Sequence, residues 1–404
     1  MVADDQVLRQ HLIDPVICIR CNTCEETCPV GAISHDSRNY VVNPEICNFC
    51  YACISPCPTG SIDNWREVLR SKAYSPDEQL TWEELPTPVV LPSSVQHVLE
   101  APDYEPPSID TVRGSIVAPK TAASPETNRY RIKNPVLATV TGNFRVTSEE
   151  RDCDTHHIVL DFGSFPFPVL EGQSIGIIPP GADGLGRPHH ARQYSISSPR
   201  NGERPGYNNL ALTVKRVTSD HQGQPVRGLA SNYLCDLQKG AQVKVIGPFG
   251  STFLMPDDPA AHLLMICTGT GSAPMRAMTE RRRRIRRDSG DGKLMLFFGA
   301  RTQEELPYFG PLTSLPQDFI ATHLAFSRHP TQPKQYVQDL MWSRRDAVAE
   351  LLSCDNTHIY VCGLKGMEDG VLTILDKIAT HAGIEWEALW SRLKSEGRLH
   401  LETY

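Results

Sequence analysis

The chain has 404 residues, room for two or three domains, with 40% hydrophobic and 22% charged residues and a formal net charge of −7. This is the balance of an ordinary soluble protein: no run approaches the ~18 apolar residues of a membrane span, and the first residues lack a signal-peptide core. Thirteen cysteines in such a chain imply a reducing compartment, expected to be the cytoplasm, rather than a disulfide framework.

Eight of those cysteines fall within the first 57 residues, in two copies of C-x2-C-x2-C-x3-C-P. Cys18, Cys21, Cys24 and Cys28 precede Pro29, and Cys47, Cys50, Cys53 and Cys57 precede Pro58, each copy offset from the other by 29 residues. That spacing is the signature of a bacterial two-cluster ferredoxin, in which each run supplies three thiolates to one cubane and the fourth to the other. The expected sets are Cys18, Cys21, Cys24 and Cys57 for one 4Fe–4S cluster, and Cys47, Cys50, Cys53 and Cys28 for the second. Zinc ribbons also use C-x2-C pairs, but in two pairs of two, which leaves the remaining cysteines and the prolines without a purpose. Asp14-Pro15 and Asn43-Pro44 precede the two copies by the same distance, so the repeat extends beyond the ligands and predicts two half-units about a pseudo-twofold axis. Residues 1–66 are read as a ferredoxin domain of α+β ferredoxin-like fold.

Residues 67–129 contain nine prolines, which exclude long helices and central strands; they are read as a linker, either flexible or laid along a neighbouring domain. From about Asn134 short β-branched stretches alternate with Gly, Pro and Asp turns: Val136–Phe144, His157–Phe162, Ser174–Ile178, Gln193–Ser197, Leu210–Val217 and Gln242–Gly247. This spacing predicts an antiparallel β-barrel over 130–256. Arg192-Gln193-Tyr194-Ser195 sits on one of these strands. Gly228-Leu229-Ala230-Ser231 should open a helix, whose free N–H groups and hydroxyl suit a diphosphate.

Over 257–404 the pattern becomes strand–turn–helix, which predicts a parallel α/β sheet with its ligand at the carboxyl ends of the strands. Strands are expected at His262–Cys267, Leu294–Phe298, Ala321–Phe326 and His358–Cys362, with a Gly-rich turn at Thr268–Pro274 and a helix at Met275–Arg287. The arginines at 281–284, 286 and 287 would span a whole helix circumference and are read as solvated surface, with no nucleic-acid role. Of the five cysteines outside the repeats, Cys153, Cys235, Cys267 and Cys354 are expected to be buried small hydrophobes.

From Asn134 to Tyr404 the order of motifs resembles the plant-type ferredoxin–NADP reductases: EGQSIGIIP, R-x-Y-S-I-S, TVKR, GLASNYLCDL, GPFG, TGTGSAP, AFSR, IYVCGLKGME and a terminal ETY. The resemblance implies that FAD is held by Arg192, Tyr194, Ser195, Lys215 and Gly228, Leu229, Ala230 and Ser231. It places the NADPH diphosphate on Thr268, Gly269, Thr270, Gly271 and Pro274, and the 2′-phosphate on Ser327, Arg328, Lys334 and Tyr336. A dianion needs cations and hydroxyls, whereas a free ribose needs an acid, and the residues here are of the first kind. For hydride transfer the resemblance names Ser195, Cys362 with Gly363 and Glu402, with Tyr404 stacked on the flavin until nicotinamide displaces it. The loop after TVKR reads Val217-Thr218-Ser219-Asp220, where the plant enzymes carry an aromatic that stacks on the adenine.

A ferredoxin placed before such a reductase, together with CIRCNTCEETCP, HDSRNYVV and CPTGSIDNWR, resembles the reductase component of benzoyl-CoA 2,3-epoxidase. That family implies a homodimer that supplies electrons from NADPH through FAD and two 4Fe–4S clusters to a separate di-iron oxygenase. Two other readings are a general NADPH–ferredoxin oxidoreductase and a regulatory iron–sulfur module on a degenerate reductase.

Overall fold

Two short antiparallel ladders frame the cysteine repeats. In a computed structural model, residues 7–87 and 114–403 are described, apart from 16–17, 19–22, 27, 51, 54–60, 63, 151–152, 183–185, 187, 220–223, 286–290 and 309–313. Strand β1 (Val7–Leu12) pairs with β4 (Asn64–Leu69), and β2 (Ile33–His35) with β3 (Tyr40–Val42); a single-turn helix, α1 (Thr23–Glu26), lies between the ladders in sequence. Ile13, Ile33, Val42, Ile62 and Trp65 form the core on which the cysteines rest.

The boundary expected at residue 66 falls inside a strand. Trp65 and Val68 are both buried and β4 pairs as far as Leu69 with Val7, so the ladder cannot end earlier. Helix α2 (Pro76–Leu80) belongs to the same unit. Ser75 caps it by accepting from Glu78 N–H, with Pro76 opening the first turn. Its buried Gln79 then serves as an extra strand partner, accepting from Val42 N–H at 3.0 Å and donating to Val42 C=O at 2.8 Å. The end of the proline-rich stretch binds elsewhere: Ser115 N–H donates to Leu399 C=O at 2.7 Å, and Asn128 N–H to Pro248 C=O at 2.8 Å. Among the described residues, then, this stretch is shared between its two neighbours rather than being one linker.

Six antiparallel strands follow: β5 (Val136–Arg145), β6 (Thr155–Asp161), β7 (Ser174–Ile178), β8 (Arg192–Ser195), β9 (Asn209–Lys215) and β10 (Gln242–Phe249), in the spatial order β8-β7-β10-β5-β6-β9. A bridge from Ile196 to Leu212 and a bond from Ser197 N–H to Ala211 C=O bring the two edges together, closing the expected barrel. Alternate residues such as Ala138, Val140, Ile158, Leu160, Ile175 and Ile177 fill it, and helix α3 (Leu229–Asp236) adds Leu234 and Cys235.

The last unit is a five-stranded parallel sheet of β11 (His262–Thr268), β12 (Leu294–Ala300), β13 (Ile320–Phe326), β14 (Thr357–Gly363) and β15 (Leu399–Thr403), ordered β13-β12-β11-β14-β15. Strand β15 was not among those expected. Residues of β11 alternate between two cores. Leu264 and Ile266 face α5 (Val337–Ser343), α6 (Arg345–Leu352), α7 (Lys365–His381) and α8 (Trp386–Ser395), while Leu263, Met265 and Cys267 face α4 (Ser272–Ile285).

Two expectations are corrected here. The arginine run is not solvated throughout: Arg282 is 1% exposed and donates to the carbonyls of Pro259, Gly292 and Ala261, tying two loops to α4. Arg286 and Arg287 lie outside the described residues. Of the four cysteines taken as buried, Cys235 and Cys267 are, whereas Cys153 and Cys354 are partly exposed beside turns.

Candidate redox site

Cys28 from the first repeat joins Cys47, Cys50 and Cys53 from the second around one pocket, which His11 and Phe49 also line. These four residues are thus neighbours in the fold, although they come from different repeats. Burial pushes the Cys47 and Cys53 thiols upward, and each neighbouring thiolate pushes them further. Four thiolates in this space therefore require positive charge among them, which an iron–sulfur core supplies. Of the other set, Cys18 and Cys24 pack on the same core; Cys21 and Cys57 lie outside the described residues.

In the parallel sheet, strand order reverses between β11 and β14, and ligands of such sheets bind in the crevice beyond that point. The Gly-rich turn lies there: β11 ends at Thr268, Gly269–Gly271 form a 3-10 turn, and α4 begins at Ser272. A Cβ on Gly271 would stand 2.1 Å from Cys362 C=O, and one on Gly363, whose φ is +140°, 2.4 Å from Thr268 Oγ1. Only glycine permits the ends of β11 and β14 to touch in this way. Thr268 Oγ1 accepts from Leu364 N–H at 3.2 Å, and the buried Ser272 hydroxyl has no hydrogen-bond partner among the described residues. A backbone turn with an unspent hydroxyl fits a diphosphate.

One cross-strand row runs Cys267–Cys362–Glu402 over β11, β14 and β15. Burial, and then the Glu402 charge, push the Cys362 thiol well above its usual range, so it stands there as a neutral thiol. Burial pushes the Glu402 carboxyl up to about 8. Thr403 holds the end of this strand by donating to the fully buried Glu368, which also accepts from Lys365 at 3.2 Å. Tyr404 lies outside the described residues.

The four residues expected at a 2′-phosphate come together at the carboxyl end of β13. Ser327 N–H and Arg328 N–H donate to Ala300 and Arg301 carbonyls, and Gln335 N–H returns to Phe326 C=O, which seats Lys334 and Tyr336 alongside. The Lys334 ammonium lies 4.7 Å from the Tyr336 ring centroid.

On the barrel, β8 presents Arg192, Tyr194 and Ser195. Arg192 is buried and donates to the His190 and Ala191 carbonyls; the Tyr194 ring packs on the barrel core. Buried Glu171, in the EGQSIGIIP segment, accepts from Arg200 N–H at 2.7 Å and from its guanidinium at 2.7 Å and 2.9 Å, which fixes the chain just past β8. Lys215 is the exposed last residue of β9. Helix α3 starts at Gly228 with no side-chain cap. The Ser231 hydroxyl accepts from Val217 N–H at 3.2 Å, and Asn232 Nδ2 donates to Val217 C=O at 2.8 Å. The hydroxyl expected for a diphosphate is thus engaged in pinning the loop after β9, and what α3 offers is backbone N–H.

Sequence reasoning missed a polar cluster between the barrel and the parallel sheet: His157, Glu203, Arg276 and Tyr308. Its one signal was a charged residue, Arg276, in the otherwise apolar first turns of α4.

Residues 17–61 match the model of a 4Fe-4S dicluster domain, and residues 265–373 that of an oxidoreductase NAD-binding domain. The chain is 38% identical over 306 residues to the cyanelle ferredoxin–NADP reductase of Cyanophora paradoxa, covering 73% of this chain and 83% of that protein. It is 37% identical over 287 residues to the ferredoxin–NADP reductase of Spirulina sp, covering 69% and 98%. The Plasmodium falciparum ferredoxin–NADP+ reductase solved with 2′P-AMP has the same fold, with a TM-score of 0.55 at 22% identity over 69% of this chain and 99% of that one. A reductase-length match that leaves a separate dicluster domain in front of it means that this chain belongs to the ferredoxin–NADP reductase family, extended at its N-terminus by a 4Fe-4S domain.

Proposed function

We propose that the chain is an NADPH-dependent flavin iron–sulfur reductase that passes electrons from NADPH through FAD and two 4Fe–4S clusters to an oxygenase component. Bound FAD would supply the conversion of a two-electron hydride donor's electrons into single ones, and 4Fe–4S clusters would supply one-electron transfer. The chain's own residues hold and orient these groups. Thr268–Pro274 and Gly363 cradle the nicotinamide dinucleotide, and Ser327, Arg328, Lys334 and Tyr336 select its 2′-phosphate. Arg192, Tyr194, Ser195, Lys215 and the α3 N-terminus hold FAD. Ser195 and Cys362 flank the reacting atoms, and Glu402 supplies a proton donor beside them, since its carboxyl stays protonated to about pH 8.

The observation that carries this reading is that Cys28 lines one pocket with Cys47, Cys50 and Cys53, in a chain that also has a Gly-rich turn at the switch point of its parallel sheet. A one-electron carrier fused to the reductase implies an acceptor downstream of the clusters. We assign that acceptor to a di-iron oxygenase acting on benzoyl-CoA, on the ferredoxin-first order and the motifs around the cysteines, and with it a homodimer. The relatives named as ferredoxin–NADP reductases favour a second reading, exchange with soluble ferredoxins. Anaerobic titration of the holoprotein with NADPH, followed by EPR, tests the route: cluster signals should appear with flavin bleaching. Electron delivery to a purified di-iron oxygenase and to a ferredoxin separates the acceptors. Clusters that stay oxidised while the flavin bleaches would overturn the route.

A further inference from the structure

We propose that Arg276 and Glu203 form a clamp that sets the spacing between the flavin-bearing strand and the nicotinamide-bearing turn, and that efficient hydride transfer depends on it. This rests on the placement of FAD and NADPH given above. Arg276 lies on α4, two residues beyond Pro274 of the Gly-rich turn. Its guanidinium forks onto Glu203, with both N–H···O bonds at 2.8 Å, and a third N–H bond reaches Ser197 C=O at 2.7 Å. Ser197 lies two residues beyond Ser195. One side chain therefore joins the helix that begins at the dinucleotide turn to the strand that presents the flavin-side residues.

The clamp is braced on every side. Further along α4, Arg284 donates to Asn201 Oδ1, Gly202 C=O and Glu203 C=O at 2.6–2.9 Å, so helix and loop are gripped twice. His157, on β6, stands 3.5 Å from the Glu203 carboxylate. Tyr308 lies against Arg276 at 5.1 Å from ring centroid to guanidinium, its hydroxyl 2.9 Å from His157 Nδ1 and 2.5 Å from Thr213 Oγ1. Tyr308 adopts a φ of +63°, a conformation non-glycine residues hold only where surroundings enforce it. Burial would raise the Glu203 carboxyl, but bonds from His157 and Arg276 outweigh it and hold it at about 2, so the pair is charged at every working pH.

This pair does more than join two bodies. Independent bonds already join them: Tyr360 Oη–H to Leu254 C=O at 2.6 Å, and Ser148 N–H to Glu304 C=O. What the fork adds is direction, because a planar guanidinium bonding a carboxylate and a carbonyl together fixes orientation as well as distance. Displacement of about 1 Å between reacting groups costs on the order of 10²-fold in rate.

The test uses the holoprotein with Glu203→Gln, which keeps shape and loses charge, and Arg276→Lys, which keeps charge and loses the fork. In anaerobic stopped-flow with NADPH, the limiting rate of flavin reduction should fall by roughly 10–100-fold in Glu203→Gln. The nicotinamide–flavin charge-transfer absorbance should weaken with it, while the dissociation constant for NADPH stays within about threefold; Arg276→Lys, which loses the fork itself, should fall at least as far. An unchanged limiting rate and charge-transfer band in both variants, with only the melting temperature lowered, would overturn the clamp. So would a weaker NADPH complex at an unchanged limiting rate, which would make Arg276 a nucleotide-binding residue. Wild-type flavin that NADPH does not reduce would instead overturn the cofactor placement, and the clamp with it.

Discussion

Glu402 gives the sharpest test of the site, because its burial predicts a pH dependence that one atom's change should remove. Its carboxyl is pushed from an ordinary 4.5 to about 8, with burial as the cause. Between those values the unfolded chain has released a proton that the folded chain retains, so stability falls as pH rises through the window. A full proton difference is worth about 1.4 kcal/mol per pH unit, or up to roughly 3 kcal/mol between pH 5.5 and 7.5. Partial access of water to the side chain lowers this to about 2 kcal/mol. His358 and His400, held by burial at about 4 and about 3, slope the other way, adding stability as pH rises toward 6.5. They are common to wild type and Glu402→Gln and cancel in the difference. Thermal unfolding of both holoproteins from pH 5.5 to 7.5 should therefore show the variant gaining on wild type by roughly 4–8 °C. Parallel curves would mean that Glu402 is ionised in the folded protein, and the proton-donor role would fail.

Four further outcomes are expected. Cys28→Ser should cost one cluster, about half of the roughly eight irons implied by two cubanes, although Cys28 lies in the first repeat; full iron retention would refute the crossed set. Gly271→Ala places a Cβ 2.1 Å from Cys362 C=O and should destabilise the fold by about 1–3 kcal/mol and slow flavin reduction, as read by melting and stopped-flow. Arg328→Ala should weaken use of NADPH by about 1.5–3 kcal/mol in kcat/KM and leave NADH nearly unchanged; equal losses would put the phosphate pocket elsewhere. Removing residues 1–87 should leave NADPH-dependent dye reduction and abolish delivery to the oxygenase, whereas removing 1–66 strands part of β4 and α2 and should yield a less soluble protein.

Repetition and periodicity made most of this legible. The offset cysteine runs announced the dicluster domain, and they gave a reason to expect Cys28 near the second run, because a cubane needs a fourth thiolate that a local loop cannot reach. Short β-branched runs located all six barrel strands to within a few residues, because half-buried strands must alternate. The edges failed where tertiary contacts decide. β4 runs past residue 66 because Val68 has a core to enter, which local sequence does not reveal. β15 is too short and mixed to declare itself, and it forms because β14 offers an edge. The Arg276–Glu203 pair joins residues 73 positions apart, and only the packing of α4 on the barrel brings them together.

The division of the proline-rich stretch bears on how electrons leave the reductase. Its first part is bound into the ferredoxin unit through Gln79 and Asn39, and its last part lies on the reductase, where Ser115 pairs with Leu399 at the start of the strand that carries Glu402. Gly397 permits that contact, since a Cβ there would stand 2.3 Å from Ala118 C=O. Both parts belong to one covalent chain that also carries the dicluster and reductase domains. A carrier in the same chain as its reductase meets it at an effective concentration a free ferredoxin reaches only by accumulation. Under the proposed function, the fusion replaces a diffusive encounter with an internal one and leaves docking of the proposed acceptor as the bimolecular electron-transfer step.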